Sequence, residues 1–322
     1  MGIIGLVHVY YCGEIVWLPS VVWYAKAEIH FLAGIVMALK LAVFGNPIAH
    51  SMSPLIHQHF AKLHGHEISY ERLLVEGSFK EAADAFFSSG GLGCNITVPC
   101  KIEAYEFAHE LTDRARIAKA VNTLKRIQST DGKERYIGDN TDGFGFYSDL
   151  LRLNAPLQQS KVLVIGAGGA ARGILPSLMS KEAALSELTL VNRTVSKASQ
   201  LLQGLDEVLL DRSEAKCRAC TFDDLLPDDH YDVIINSTSL SVSKELPKIP
   251  DSIYTHAAFA YDLYYTKTGS TVFTDKASSL GVKACFDGLG MLVGQATLSY
   301  ELWTGVRPDI GATLDYLRSE LG

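Results

Sequence analysis

The chain has 322 residues and a mass of 35.1 kDa, a length that predicts two domains at roughly 100–200 residues per domain. Its 48% hydrophobic and 20% charged residues are ordinary for a globular protein and too apolar for a disordered one. The net charge of −7 argues against a general nucleic-acid binder, which needs a basic surface to displace counterions.

Residues 1–36 differ in composition from the rest of the chain. They hold Trp17 and Trp23, and their first Lys or Arg is Lys26, too late for a signal peptide. Glu14 and Pro19 break the apolar stretch into pieces shorter than the about 20 residues of a membrane span. We therefore expect an extension outside the functional fold, with Met37 as the functional start and no membrane partner. A peripheral membrane anchor is the alternative.

The first half of the remaining chain alternates strands and helices. Leu41–Phe44 predicts a strand that ends at a Gly-Asn-Pro turn, and Ser53 predicts the N-cap of a helix with Pro54 as its first residue. Further strands are expected at 68–75 and 95–98 and a helix at 79–87, and Pro99 opens another helix. These elements indicate a smaller α/β unit.

The second half predicts a doubly wound α/β domain. The apolar run 161–165 is typical of a strand buried on both faces of a parallel sheet, and the runs 188–191 and 232–235 resemble it. Helical patterns separate these strands, among them an apolar helix at 144–153. Such an alternation is typical of a parallel sheet with helices on both sides.

A glycine-rich turn follows the strand at 161–165 and predicts a dinucleotide site. Gly166 permits the tight turn, Gly168 lets the backbone approach a pyrophosphate, and Ala171 allows close packing of helix on strand. The pyrophosphate is expected on the helix N-terminus, where unpaired N–H groups favour anions. A purely structural glycine turn is the alternative.

The end of the next strand indicates which dinucleotide is bound. An NAD site places Asp or Glu there, whereas this chain has Asn192, Arg193 and Thr194, followed by Lys197. Arg193 offers a planar fork of donors suited to the 2′-phosphate of NADP. We therefore predict NADP, against the alternative of an exposed arginine at a strand end.

Lys101 and Asp142 are the candidates for proton transfer. Lys101 lies in the first turn of a predicted helix, where a cation opposes the helix dipole, and Asp142 precedes the helix at 144–153. Alone, Lys101 could be a solvated surface lysine and Asp142 a helix N-cap. Together they suit hydride transfer between NADP and a secondary alcohol, because the carbonyl oxygen must gain a proton as hydride arrives.

Cysteine and histidine patterns do not predict a metal site. Cys217 and Cys220 form a single C-x-x-C without a second pair, and six cysteines in a chain of this length fit a reducing, cytoplasmic compartment. Five histidines fall between residues 50 and 66 without one helical face in common, so we interpret them as polar residues of a surface or groove. Trp303 is interpreted as core packing.

Seven motifs in chain order resemble those of the shikimate dehydrogenase family, over about residues 40–310. They are Ser51-Met-Ser53-Pro, Asn95-Ile-Thr97-Val-Pro-Cys-Lys101, Ala120-Val-Asn122-Thr, Gly-Asp-Asn140-Thr-Asp142-Gly, Gly-Ala-Gly-Gly-Ala, Asn192-Arg-Thr and Asp287-Gly-Leu-Gly-Met291-Leu-Val-Gly-Gln295-Ala. The resemblance implies NADPH-dependent reduction of 3-dehydroshikimate to shikimate, on the route to chorismate and the aromatic amino acids. We expect a monomer or a homodimer.

The same resemblance implies the site residues, with Lys101 as the proton-transfer residue paired with Asp142. The implied substrate ligands are Ser51, Ser53, Thr97, Asn122, Asp142, Tyr265 and Gln295. The implied cofactor ligands are Asp113, Gly166, Ala167, Gly168, Gly169, Ala170, Asn192, Arg193, Thr194, Lys197, Leu263 and Gly288.

The implied fold has an N-terminal α/β substrate domain and a doubly wound Rossmann NADP-binding domain, with C-terminal helices that return to the first domain. Expected boundaries are 1–36 for the extension, 37–141 plus 290–322 for the substrate domain and 142–289 for the NADP domain.

Three residues or segments depart from the family pattern: Cys100, Leu263, and Leu240-Ser241, where a glycine is usual. The last could alter the loop on the cofactor side. Two other functions stay open, a quinate/shikimate dehydrogenase of broader specificity and a non-catalytic NADP-binding regulator.

Overall fold

The computed structural model describes residues 38–129, 131–209 and 213–321. The predicted extension at 1–36 and the predicted start at Met37 lie outside these ranges. The described chain forms two six-stranded sheets flanked by helices, in an α/β fold of two domains.

The first sheet is mixed. Its strand order is β2-β1-β3-β5-β6-β4, in which β2, β1 and β3 are parallel and β5 runs antiparallel to both β3 and β6. The strands are β1 (Leu39–Gly45), β2 (Ile68–Leu74), β3 (Gly93–Ile96), β4 (Glu110–Leu111), β5 (Thr123–Gln128) and β6 (Glu134–Asp139). The helices between them are α1 (Ser53–His64), α2 (Phe79–Ser88), α3 (Lys101–Phe107) and α4 (Asp113–Ala118).

The second sheet is fully parallel, as predicted. Its order β12-β11-β10-β7-β8-β9 is that of a doubly wound dinucleotide-binding fold, with the order reversing beside β7. The strands are β7 (Lys161–Ile165), β8 (Glu187–Val191), β9 (Lys216–Cys220), β10 (Val233–Asn236), β11 (Phe259–Asp262) and β12 (Ala284–Phe286). The helices are α5 (Asp142–Arg152), which precedes β7, then α6 (Gly169–Leu178), α7 (Val195–Asp206), α8 (Asp251–His256) and α9 (Val272–Ser279).

Each face of the second sheet is covered by its own apolar cluster. Val162 and Val164 point to the side of α6 and α7, whereas Leu163 and Ile165 point to the side of α8 and α9. All four side chains are fully buried, because alternate residues of a strand face opposite sides and both sides carry helices. This explains the continuous apolar run in the sequence.

The last two helices pack on the first half of the chain. α10 (Leu289–Thr304) and α11 (Ile310–Leu321) bury Val293 and Leu317 against Ile56 and Phe60 of α1. The indole N–H of Trp303 donates to the Leu124 carbonyl of β5 at 2.9 Å, so this tryptophan packs in the core as expected. α10 therefore joins the first sheet, while its own N-terminal end follows β12 of the second.

Three predicted helix starts are wrong by a residue or two. α3 begins at Lys101 with Cys100 at its N-cap position, not at Pro99. Met52, not Ser53, occupies the N-cap position of α1, and no side chain caps that end; Ser53 is the first helical residue. α5 begins at Asp142 with Thr141 at its N-cap position, so Asp142 is not an N-cap. The Asp142 side chain instead accepts from Lys101 and Asn122, which are distant in sequence, and the Ser53 hydroxyl accepts from the nearby Ser51 Oγ. No helix in the described ranges is long and apolar enough to cross a membrane.

Candidate active site

A cavity of about 330 Å³ lies beyond the carboxyl ends of β1 and β3 and is closed on its other side by the chain after β11 and by α10. The predicted catalytic and substrate residues all line it, and so do two predicted cofactor residues. They are Ser51, Ser53, Thr97, Lys101, Asn122, Asp142, Tyr265 and Gln295, with Leu263 and Gly288. Six segments that are far apart in sequence thus contribute these lining residues.

Lys101 and Asp142 form an ion pair at this cavity. Lys101 Nζ lies 2.6 Å from Asp142 Oδ2, and the two side chains are 28% and 16% exposed. Lys101 is the first residue of α3 and Asp142 the first residue of α5, so two helix starts converge here. Because both side chains stay partly open to the cavity, the ammonium group can reach a bound molecule while the carboxylate holds it.

Asn122 fixes the second oxygen of Asp142. Its Nδ2 donates to Asp142 Oδ1 at 2.8 Å and to Thr141 Oγ1 at 2.9 Å, while its Oδ1 accepts from Thr141 N at 2.9 Å. Gln295 is adjacent, with its Oε1 accepting from Thr141 Oγ1 at 3.4 Å and its Nε2 donating to the Leu292 carbonyl. The carboxylate is therefore held on both oxygens before any substrate binds.

Hydroxyl groups line the opposite part of the cavity. Ser51 Oγ donates to Ser53 Oγ at 3.2 Å, and the carbonyl of Ser51 accepts from the Arg72 guanidinium at 2.7 Å. Burial raises the pKa of Tyr265, which keeps its phenol protonated and able to donate. The cavity thus combines one cation, one anion and several neutral donors and acceptors.

The glycine-rich turn after β7 fits a dinucleotide. Gly166 has φ +101°, a conformation that favours glycine, and a Cβ there would come within 2.8 Å of the Thr238 methyl group. The Cβ positions of Gly168 and Gly169 face open space, and α6 starts at Gly169 without a side-chain cap. Unpaired N–H groups at that end, with room beside them, suit a pyrophosphate. Ala167 and Ala170 belong to the same turn.

The polar end of β8 lies beside this turn. Asn192 Oδ1 accepts from Ala167 N at 3.3 Å, and Asn192 Nδ2 donates to the Thr194 carbonyl at 2.9 Å. Arg193, Thr194 and Lys197 are exposed, which leaves the two cations accessible to a phosphate. No carboxylate follows β8 at this point of the described chain, so the arrangement fits NADP better than NAD.

The described contact of the Asp113 side chain is with Arg116 and not with the glycine-rich turn. Asp113 is the first residue of α4, its side chain is 90% exposed and its Oδ1 lies 2.7 Å from Arg116 Nη1. α4 itself packs against α6, the helix that follows the turn. The role of Asp113 stays a prediction.

Sequence profiles for three parts of one enzyme family match this chain. The shikimate dehydrogenase substrate binding domain matches residues 43–124, shikimate / quinate 5-dehydrogenase matches residues 150–244, and the shikimate 5′-dehydrogenase C-terminal domain matches residues 288–315. A curated relative from Vibrio cholerae, named shikimate dehydrogenase (NADP(+)), is 48% identical over 283 residues, which cover 88% of this chain and 96% of the relative. The chain belongs to the shikimate dehydrogenase family.

Solved structures agree with this membership. An Ael1 enzyme from Pseudomonas putida is 37% identical with a TM-score of 0.77, over 87% of this chain and 98% of that one. A shikimate 5-dehydrogenase from Thermus thermophilus, solved in complex with NADP(H) and shikimate, is 28% identical with a TM-score of 0.73, over 88% of this chain and 100% of that one. The family resemblance predicted from the motifs is therefore confirmed.

Some residues at the cavity were not among the site residues predicted from the sequence. Met291 and Asn95 line the cavity. Gly173 of α6 approaches Asp142 so closely that a Cβ there would lie 3.2 Å from the Asp142 Cβ. Met291 and Asn95 fall within quoted motifs, so the motifs were the available signal. No signal in the sequence indicated the contact of Gly173 with Asp142, because this contact depends on how α6 crosses α5.

The interpretation of the five histidines as surface or groove residues is wrong for His57. His50 lines the cavity, but His57 is fully buried, with Nε2 3.1 Å from Asn95 Oδ1. Burial lowers the pKa of His57 from 6.5 to about 3, so the ring is neutral and donates through Nε2 to Asn95 Oδ1. Among the described residues, no group of three or more His, Cys, Asp or Glu side chains is placed to hold a metal ion.

Proposed function

We propose that this protein catalyses the reversible NADPH-dependent reduction of 3-dehydroshikimate to shikimate. The observation that carries the proposal is the 2.6 Å Lys101–Asp142 ion pair at a cavity that the predicted polyol-binding side chains also line. The family membership supports the same reaction, because its curated members at 45–48% identity are named shikimate dehydrogenase (NADP(+)).

Lys101 donates the proton in the reduction. When bound, NADPH supplies the hydride that reduces the carbonyl carbon, and negative charge then develops on the carbonyl oxygen. The Lys101 ammonium group transfers a proton to that oxygen, and in the reverse direction the neutral amine removes it from the hydroxyl. Asp142, 2.6 Å from the ammonium group, holds it toward the cavity before each reduction.

The neutral polar groups bind the remaining oxygens of the substrate. Ser51, Ser53, Thr97 and Tyr265 offer hydroxyls, and Asn122 and Gln295 offer amides. A site that satisfies several hydroxyls at once rejects analogues that lack one, because a buried donor or acceptor would be left unpaired. Such a set suits a small polyhydroxy acid.

We further assign the cofactor to the glycine-rich turn and the end of β8. Gly166–Ala170 would receive the pyrophosphate, and Asn192–Thr194 with Lys197 would receive the adenosine phosphate. Leu263 and Gly288 line the cavity and would contact the nicotinamide end. Boundaries at 142 and 290 divide the chain into substrate and cofactor domains in this proposal, and the cysteine pattern of the sequence favours the cytoplasm.

The test of this function is steady-state kinetics of Lys101→Ala, followed by NADPH absorbance at 340 nm. Removal of the proton donor should lower kcat by about 10²–10⁴-fold and change KM for shikimate less than about threefold, since the lysine acts mainly in the transition state. Lys62→Ala, at an exposed lysine of α1, is the matched control and should behave like the unchanged protein. A kcat for Lys101→Ala near the control value would refute the role of Lys101.

The same assay separates the remaining alternatives. NADP should be preferred over NAD, since no carboxylate directly follows β8 in the described chain to bind the ribose 2′-hydroxyl. The paired serines Ser51 and Ser53 favour shikimate over quinate. Equal turnover of quinate would indicate the broader dehydrogenase. Absent turnover with tight NADPH binding would indicate the non-catalytic regulator.

A further inference from the structure

A buried carboxylate that the proposed reaction does not use lies directly behind the cavity. Asp262, the last residue of β11, is fully buried. Its Oδ2 accepts from Ser241 Oγ at 2.5 Å and from Thr271 Oγ1 at 2.6 Å. Its Oδ1 accepts from Asn236 Nδ2 and from Tyr264 N, both at 3.1 Å. Four donors from four segments therefore meet on one side chain.

One of these donors shapes the wall of the cavity. The bond from Tyr264 N to the Asp262 side chain closes a turn immediately after β11. The residues on either side of Tyr264 are Leu263 and Tyr265, and both line the cavity. The turn is also fixed from outside, because Gly288 N donates to the Tyr264 carbonyl at 3.0 Å. The position of Tyr265 in the cavity therefore depends on the Asp262 carboxylate.

Two other donors connect the same carboxylate to the cofactor side. Ser241 lies in a 3₁₀ turn, Leu240–Ser243, and also accepts from Asn236 Nδ2 at 3.3 Å. Asn236 Oδ1 accepts from Thr238 N and from Thr238 Oγ1 at 2.7 Å. Thr238 packs over the glycine-rich turn, since its methyl group would lie 2.8 Å from a Cβ on Gly166. A continuous set of hydrogen bonds thus runs from the cavity wall to Thr238, whose methyl group packs on the glycine-rich turn.

We propose that Asp262 is a positioning residue of the reaction, and that Ser241 completes its set of donors and joins the Tyr265 turn to the loop over the glycine-rich turn. This inference rests on the proposed function and adds a pair of residues outside the cavity to it.

The physical reason is the cost of a buried charge. Burial raises the pKa of Asp262, and the hydrogen bonds from Ser241, Thr271, Asn236 and the Tyr264 backbone oppose that shift. Removal of one donor leaves the carboxylate less well satisfied. The remaining donors then move toward the carboxylate. One of them is the backbone N–H of Tyr264, so the turn that carries Tyr265 moves as well.

The experiment compares Ser241→Ala, Asp262→Asn and Ser243→Ala in the shikimate assay, with thermal unfolding of each. Ser243 is the matched control, because it belongs to the same 3₁₀ turn, is exposed, and its Oγ donates only to the Leu240 carbonyl in the described chain. We expect Ser241→Ala to raise KM for shikimate about fivefold and to change kcat less than about twofold, because a displaced Tyr265 weakens ground-state and transition-state binding equally. Asp262→Asn should raise KM about tenfold or more, and Ser243→Ala should leave KM unchanged.

The outcomes separate this inference from the proposed function. If the unchanged protein has no activity, the proposed function fails. If it is active and Ser241→Ala lowers Tm while its KM equals that of Ser243→Ala, the hydroxyl has only a structural role and the inference is overturned. Asp262→Asn is not needed for that decision, so a failure of this variant to fold does not affect it.

Discussion

At the scale of single residues, the polar side chains of this protein act in satisfied sets. Asn122 illustrates this, because its amide donates to Asp142 and Thr141 while its oxygen accepts from the Thr141 backbone. A buried amide of this kind has one geometry that satisfies all partners, and this geometry orients Asp142 before substrate binds. His57 is a different case, since its Nδ1 is buried without a partner in the described chain.

The buried histidine predicts a pH-dependent loss of stability. The pKa of His57 falls from 6.5 to about 3 on folding, so below pH 6.5 the unfolded chain binds a proton that the folded chain refuses until about pH 3. The stability contributed by neutral His57 is fully present above pH 6.5 and is lost as pH falls toward 3, by on the order of 5 kcal/mol at most. We expect the free energy of unfolding of the unchanged protein, minus that of His57→Gln, to fall as the pH is lowered from 6.5 toward 3. Urea titrations at several pH values measure this difference.

The difference between the two proteins is the informative quantity. Other buried groups, such as Asp149 and Asp262, whose pKa values are raised by burial, titrate in both proteins and cancel in the subtraction. A difference that stays constant from pH 7 to pH 4 would contradict the prediction. It would mean that water reaches the ring and that His57 titrates normally.

At the scale of elements, the crossing of α5 and α10 sets the distance between Asp142 and Gln295. The helices touch through glycine: a Cβ on Gly294 would lie 2.8 Å from the Gly145 carbonyl oxygen, and one on Gly145 would lie 2.3 Å from Gln295 N. Contacts this short involve backbone, which cannot rotate away. The two helices can therefore carry their site residues together only because both positions lack a side chain.

We expect Gly294→Ala to push α10 away from α5. The added methyl group should destabilise the fold by about 1–3 kcal/mol and raise KM for shikimate, since Gln295 is the next residue. Gly204→Ala is the matched control. Gly204 lies inside α7 with open space at its Cβ position, so alanine there should leave KM unchanged and stabilise the helix by about 0.5–1 kcal/mol.

Denaturant unfolding and steady-state kinetics of the two alanine variants test this point. A Gly294→Ala protein with the stability and KM of the Gly204→Ala control would show that α10 can shift without moving the site. The close helix contact would then have no part in positioning Gln295.

At the scale of the whole molecule, the C-terminal helix ties the end of the chain to the turns around the cavity. Arg318 of α11 forms an ion pair with Asp287 and donates to the Thr266 carbonyl at 2.9 Å. Asp287 is buried and also accepts from Thr266 N at 3.1 Å. One guanidinium thus joins α11, the turn after Tyr265 and the start of α10.

Arg318→Ala should therefore destabilise the protein more than loss of an ordinary surface ion pair. It leaves a buried carboxylate without its cation, at a cost of about 2 kcal/mol. The control Arg116→Ala removes a pair whose side chains are 58% and 90% exposed, worth about 0.5 kcal/mol or less. Equal midpoints of thermal unfolding for the two variants would show that water or another group satisfies Asp287 when Arg318 is absent.

Local patterns in the sequence predicted much of the fold and of the candidate site. The apolar run 161–165 and the glycines after it predicted β7 and its turn, because a strand buried on both faces and a turn with positive φ each demand particular residue types. The chemistry of Lys101 and Asp142 suggested a proton-transfer pair, but their separation of 41 residues along the chain does not tell how far apart they lie in space. It was the family resemblance that placed the other cavity residues with them.

The amino-acid sequence by itself determined the class of fold, the glycine-rich turn after β7 and the types of side chain at the candidate site, since these depend on neighbours along the chain. Only the tertiary structure decided that Asp142 starts α5 instead of capping it, that His57 is buried, and that Ser241 and Tyr264 share the carboxylate of Asp262. Each of these depends on contacts between segments brought together by sheet order and helix crossing. Tertiary hydrogen bonds and burial outweigh local preferences of about 1 kcal/mol. A short stretch of sequence does not encode which distant segment it will contact in the folded protein.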